Sequence, residues 1–190
     1  MKSTTNEAKY QAITLFRAMY DARDRRDHLY DALATLEKAG LLGSDVYERT
    51  HEYARKANAD SNVAMMEIQD LGFYAYRDSG LNYMPVLKNA DGETIAERYE
   101  FVTHAVSASD NKEVQRFCGT ATISYHNTVN GSGSLVRADA VVTLEGYSKI
   151  ASGTVSGFKD IDVLVQSAAH DLIVGAIGFS ACQLGYIEYR

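Results

Sequence analysis

The chain has no tryptophan, one proline and two cysteines, and it lacks both a long apolar run and a basic excess. Each shortage removes a class of protein. The most apolar stretch, Leu172 to Ile187, is too short to span a bilayer and includes Ser180 and Gln183, so a buried core helix is expected there. A net charge of −6 disfavours a nonspecific nucleic-acid binder, which concentrates Lys and Arg. Dividing the chain at Ser79 leaves 11 basic against 13 acidic residues before it and 8 against 12 after it, so neither half is basic. Met1 to Asn6 leads straight into polar helix without a secretory pattern, and a reducing, cytoplasmic location is expected. Cys118 and Cys182 then read as small buried apolar residues, one in a strand and one in a helix.

With 46% hydrophobic and 23% charged residues over 190 positions, the chain should fold around a real core. Its clearest signal lies between Val114 and Glu145, where two alternating segments flank Asn130-Gly131, the dipeptide favoured in type I′ hairpin turns. A two-residue loop there would set Ile123 opposite Ala138, Thr122 opposite Asp139 and Ser124 opposite Arg137. One face then carries Gly119, Ala121, Ile123 and Tyr125 against Ala138, Ala140, Val142 and Leu144. The other carries Thr122, Ser124 and His126 against Arg137, Asp139 and Glu145, a polar and solvated surface.

The remainder reads as α+β. A helix is expected from Glu7 to Ala39, with the charged run Asp21 to His28 either its exposed middle or a break. Gly40 and Gly43 should end it, and Ser44 or Asp45 should cap a second helix to about Asp78, with Glu48 completing a capping box with Asp45. Val46, Tyr53, Ala57, Ala64, Ile68 and Leu71 are its apolar positions. The sole proline, Pro85, suits a first or edge strand, followed by a turn at Asn89 to Gly92, a strand from Thr94 to Val106, the hairpin, and a strand from Lys149 to Phe158. A helix from about Val163 to Leu184, capped by Asp160 or Asp162, closes the chain. Its Gly175 and Gly178 imply close approach to the small-residue face of the sheet. The expected architecture is an N-terminal antiparallel helical hairpin (1–79) and an antiparallel β-meander packed on an apolar C-terminal helix (80–190), folding as one cooperative unit.

The sequence carries no P-loop, dinucleotide fingerprint, nucleophile elbow, zinc helix or CxxC pair, so neither cofactor nor metal is expected. No two of the five histidines have i, i+4 spacing, and Cys118 and His126 lie too far apart on one strand to share a proton. A polar set of Ser124, His126, Arg137 and Asp139 remains as a candidate recognition surface, its plain alternative being ordinary cross-strand pairs. Thirteen tyrosines stand against six phenylalanines. Tyr10, Tyr20 and Tyr30 on the first helix, Tyr47, Tyr53, Tyr74 and Tyr76 on the second, and Tyr186 and Tyr189 at the end suit a surface that is apolar on one side and wet on the other.

These features lead us to expect a small soluble binding or protein-interaction protein that self-associates, a binder rather than a catalyst. Over Val114 to Gly185 the order of hairpin, strand and helix, after an N-terminal helical region, resembles single-strand annealing proteins of phage, without their Arg-bearing terminal helix pattern. That resemblance implies single-stranded nucleic acid as an alternative partner. A curved sheet around a helix can also hold a small apolar ligand.

Overall fold

The computed structural model describes residues 6–77, 84–107, 113–128, 135–144, 146–177, 182–184 and 187–189. The chain divides into two compact units, Met1–Ala75 with Asn89–Asp91, and Tyr76–Lys88 with Gly92–Arg190. Two packed helices are followed by an antiparallel meander on a C-terminal helix. Among the described residues, no helix is long and apolar enough to cross a membrane.

In the first unit, α1 (Asn6–Lys38) runs unbroken through the charged segment. That segment is not solvated all round: Ala22 is buried, Arg23 Nε donates to Ser61 Oγ at 3.1 Å, and Arg26 Nη1 donates to Asn58 Oδ1 at 3.2 Å. Gly40 at φ +74° ends the helix. Its N–H reaches the Glu37 carbonyl and the next N–H, of Leu41, reaches back to Leu36, the paired bonds of a Schellman stop. Ser44 caps α2 (Asp45–Asp70), its Oγ accepting from the Tyr47 N–H at 3.3 Å. The cap therefore lies one residue before Asp45, and the expected Asp45–Glu48 box is not the capping pair.

The second helix stops at Asp70, eight residues earlier than expected. Gly72, at φ +84°, ends it by adopting a left-handed conformation that an L side chain resists. The following Phe-Tyr-Ala-Tyr is rich in β-favouring aromatics and becomes β1 (Phe73–Arg77), so Tyr74 and Tyr76 are strand residues. The buried stripe of α2 is Ala54, Ala57, Ser61, Ala64 and Ile68, whereas Val46 and Tyr53 are exposed.

In the sheet, β2 (Pro85–Asn89), β3 (Thr94–Ser107), β4 (Glu113–Thr128), β5 (Val136–Leu144) and β6 (Tyr147–Val155) come after β1 in chain order. Pro85 opens β2, a tolerated position, but β2 lies between β1 and β3 and is no edge. The Asn89 side chain accepts from the Asp91 N–H at 3.0 Å, and Gly92 takes φ +82° to complete the turn.

The β4–β5 register departs from expectation by two residues. Ile123 faces Ala140 and Ser124 faces Asp139, then a bulge at His126 shifts the pairing to Asn127 opposite Arg137. An even shift leaves every side chain from Gly119 to Tyr125 on its expected face, so the apolar face survives while the cross-strand partners change. The Asn130-Gly131 corner lies outside the described residues.

The α3 helix (Phe158–Ile177) begins earlier and ends sooner than the spacing suggests. Its first turn is organised by Asp160, whose carboxylate accepts from Ser156 N–H and Oγ, both at 2.7 Å. Those bonds hold its pKa below the usual value. Residues 182–184 are strand rather than helix. They form β7 (Cys182–Leu184), pairing with 105–107 of β3, and β8 (Glu188–Tyr189) pairs with Phe101 and Val102. The reason is an open edge: β2 reaches only Thr94 to Glu97 of β3, and the chain's tail takes up the unused backbone groups beyond.

The core of this unit joins Ala121, Ile123, Ala138, Ala140 and Val142 to Val165, Ala168, Ala169 and Ile173. Small side chains on the sheet do admit the helix, but the close approach is not made by Gly175, and Gly178 lies outside the described residues. Gly175 is exposed with nothing near the position of a Cβ, whereas a Cβ on Gly153 of β6 would meet Leu164 Cδ2 at 2.8 Å. Val163 is exposed, so α3 keeps a solvent face.

Candidate functional site

Arg23 lies opposite Ser61 and, three residues on, Arg26 lies opposite Asn58 three residues back. Continuing that antiparallel step sets Tyr20 level with Ala64 and Tyr30 level with Ala54. Burial follows the levels. Ala12, Ile13, Phe16, Met19 and Tyr20 are buried below Arg23, but beyond it Leu33 is the one buried hydrophobic of α1, and α2 has none before Ala54. The end of the hairpin nearest the turn instead exposes Tyr30, Leu41, Leu42, Val46 and Tyr53, Leu42 to 63%. Between the two ends, the hydrogen bond of Arg26 to Asp27 at 2.8 Å raises the guanidinium pKa.

The expected tyrosine set separates. Tyr10 and Tyr30 are exposed. Tyr20 is 2% exposed, edge-on to Phe16 with ring centroids 5.1 Å apart, and Arg23 lies over its ring at 5.0 Å. It belongs to the hairpin core, where its ring supplies packing rather than a contact surface.

The polar set on the sheet is partly assembled. His126 Nε2 lies 2.6 Å from Asp139 Oδ2, with the two side chains 13% and 30% exposed. Ser124 is the cross-strand partner of Asp139 and is buried. Arg137 is exposed and pairs with Asn127 and Thr154, so the expected Ser124–Arg137 and Thr122–Asp139 pairs do not form. His126 is the extra residue of the β4 bulge, and it reaches Asp139 on the face that Ser124 shares. This face is less solvated than its polarity suggests, because Arg98, Thr122 and Ser124 are buried. Cys118 is exposed, contrary to the core position expected for it. Among the described residues, no three His, Cys, Asp or Glu side chains converge as a metal site.

A second polar group had no counterpart among the sequence candidates. Tyr99 and Tyr125 each donate to Glu97 Oε2 at 2.7 Å on the core-facing side of the sheet. Burial, reinforced by the Glu97 charge, pushes both phenols well above their ordinary pKa. They remain neutral donors that hold a carboxylate against an apolar core. The available signal was Glu97 itself, which interrupts the inward alternation of Tyr99, Phe101 and Ala105.

No protein-family model, curated protein or solved structure matches the chain. The functional reading therefore rests on its own residues.

Proposed function

We propose that this is a non-enzymatic interaction protein that self-associates through the turn end of its helical hairpin. The observation that carries this reading is the mismatch at that end: α1 continues from Asp24 to Lys38 with Leu33 alone buried, while Tyr30, Leu41, Leu42, Val46 and Tyr53 face solvent. Fifteen helical residues extend about 22 Å. Helices of that length draw most of their stability from burying an apolar face, and an end that buries Leu33 with only the small Ala54 and Ala57 of α2 leaves part of the requirement to a partner. Tyrosine and leucine at the turn provide large contact area.

The test is native mass across a concentration series for the full chain and for Leu42→Glu with Tyr53→Glu. The wild type should form a discrete oligomer, and the double variant should shift toward a smaller species with its secondary structure retained by circular dichroism and a melting temperature that no longer rises with concentration. A wild type that stays monomeric at high concentration overturns the reading. In the same preparations, salt-sensitive binding of labelled single-stranded DNA would support the nucleic-acid alternative instead. A copurifying apolar molecule would support the carrier alternative.

A further inference from the structure

The last strand of the meander, β6, ends the sheet order and pairs only with β5 among the described residues. Its nine residues pair without a register shift, it contains no proline, and it is exposed from Tyr147 to Ile150 and again at Ser152 and Thr154. Protein sheets ordinarily blunt such an edge with proline, a bulge, an unpaired lysine or an overlying loop, because the open N–H and C=O groups recruit another strand. The one charge on β6, Lys149, is turned onto α3, its Nζ 3.2 Å from Asp171 Oδ2. Two large apolar side chains, Tyr147 at 58% and Ile150 at 61%, remain in solvent.

We infer that β6 is a second self-association surface, pairing antiparallel with β6 of another copy about a two-fold axis and joining two sheets into one. The occupant follows from the strand's complementarity to itself. With Ile150 on the axis, Ile150 meets its own mate, Ser148 faces Ser152, Lys149 faces Ala151 and Tyr147 faces Gly153. Tyr147 then lies across from a residue that has no side chain of its own, where Leu164 of α3 closes over the glycine. Sliding the pair so that Lys149 sits on the axis would set two lysines against each other, and sliding it the other way would place Ile150 against Ser152. Of these three registers, the one centred on Ile150 pairs the exposed isoleucine with itself and keeps the lysines apart, as an isologous contact requires. The inference shares with the proposed function only the premise that a second copy is the partner, and it uses a different surface.

The experiment uses the full chain in a Cys118→Ser background, which removes the exposed thiol. Ile150→Cys should give a covalent dimer under mild oxidation, because residues paired across a two-fold antiparallel contact have Cα atoms about 4.5–5.5 Å apart. Ser152→Cys should not, since each copy would lie about four residues, roughly 13 Å, from its mate. Ile150→Lys should weaken association at least about tenfold by native mass, as like charges meet on the axis. Absence of a dimer at position 150, or equal crosslinking at 152, overturns the inference. Crosslinking at 150 that persists in the hairpin double variant supports β6 independently. Crosslinking at 150 with hairpin variants that leave the native mass unchanged keeps β6 and rejects the hairpin surface.

Discussion

Adding one methyl group at Gly119 and the same group at Gly175 should change stability in opposite directions. Gly119 sits in β4 with Phe101 and Leu144 as its cross-strand partners. A Cβ there would lie 2.6 Å from Phe101 Cζ and 2.8 Å from both Leu144 Cδ2 and the Thr143 carbonyl oxygen, against 3.4–4 Å for ordinary contact. Phe101 is buried, and the Thr143 oxygen belongs to the backbone, so neither can retreat cheaply. Replacing glycine in a strand interior gains about 0.5–1 kcal/mol from the unfolded chain, while overpacking costs about 1–3 kcal/mol. Gly119→Ala should therefore lose about 1–2 kcal/mol net. Gly175 lies in a helix with no neighbour near its Cβ position, and Gly175→Ala should gain up to about 1 kcal/mol. Urea unfolding followed by circular dichroism and tyrosine fluorescence would show the midpoint falling by roughly half to one molar for the first and rising for the second at unchanged m. A Gly119→Ala protein as stable as wild type, or a destabilised Gly175→Ala protein, would refute the packing described for this core.

Three further expectations use the same measurements. Ala140→Leu, at a fully buried position facing α3, should cost about 1–3 kcal/mol, and an unchanged melting temperature would contradict the sheet–helix contact. Ser44→Ala removes the α2 cap and should cost about 1 kcal/mol, whereas Ser44→Gly should cost a few tenths; equal losses would show that the hydroxyl is not the operative group. Tyr99 and Tyr125 have folded-state pKa values raised above 10, so the folded protein holds their protons longer than the unfolded chain. Stability from this difference is complete below about pH 10 and falls as pH rises past it, by about 1.4 kcal/mol per pH unit for each tyrosine. Tyr125→Phe should halve that slope in alkaline denaturant titrations, and an unaltered slope would show that the buried Tyr125 phenol is not one of the groups behind it.

Long periodic patterns were legible in the sequence and local exceptions were not. Alternation along 119–125 and 138–144 identified the core face, because side chains in strands repeat every two residues and a two-residue error in register returns each to its own side. The same tolerance hid the error. No pattern of hydrophobicity distinguishes Ser124 opposite Arg137 from Ser124 opposite Asp139, so the polar site was misassembled while the fold around it stayed right. Helix ends failed for a different reason. Phe73 to Tyr76 and Cys182 to Leu184 continue apolar composition beyond a stop, and their strand state depends on backbone partners far along the chain, above all the open edge of β3.

The polar group at His126 shows what the register error changed. His126 stays on the face that alternation gives it and contacts Asp139, but Asp139 lies across from buried Ser124 rather than Thr122, so the members come from the right strands in an unexpected combination. Glu97 shows the complementary case. It lies on a regular stretch of β3 and its inward direction follows from alternation alone, yet its two phenolic donors come from two residues along the same strand and from the neighbouring strand. Direction is local and was readable. Partnership is set by register, and it is register that turns these side chains into sites.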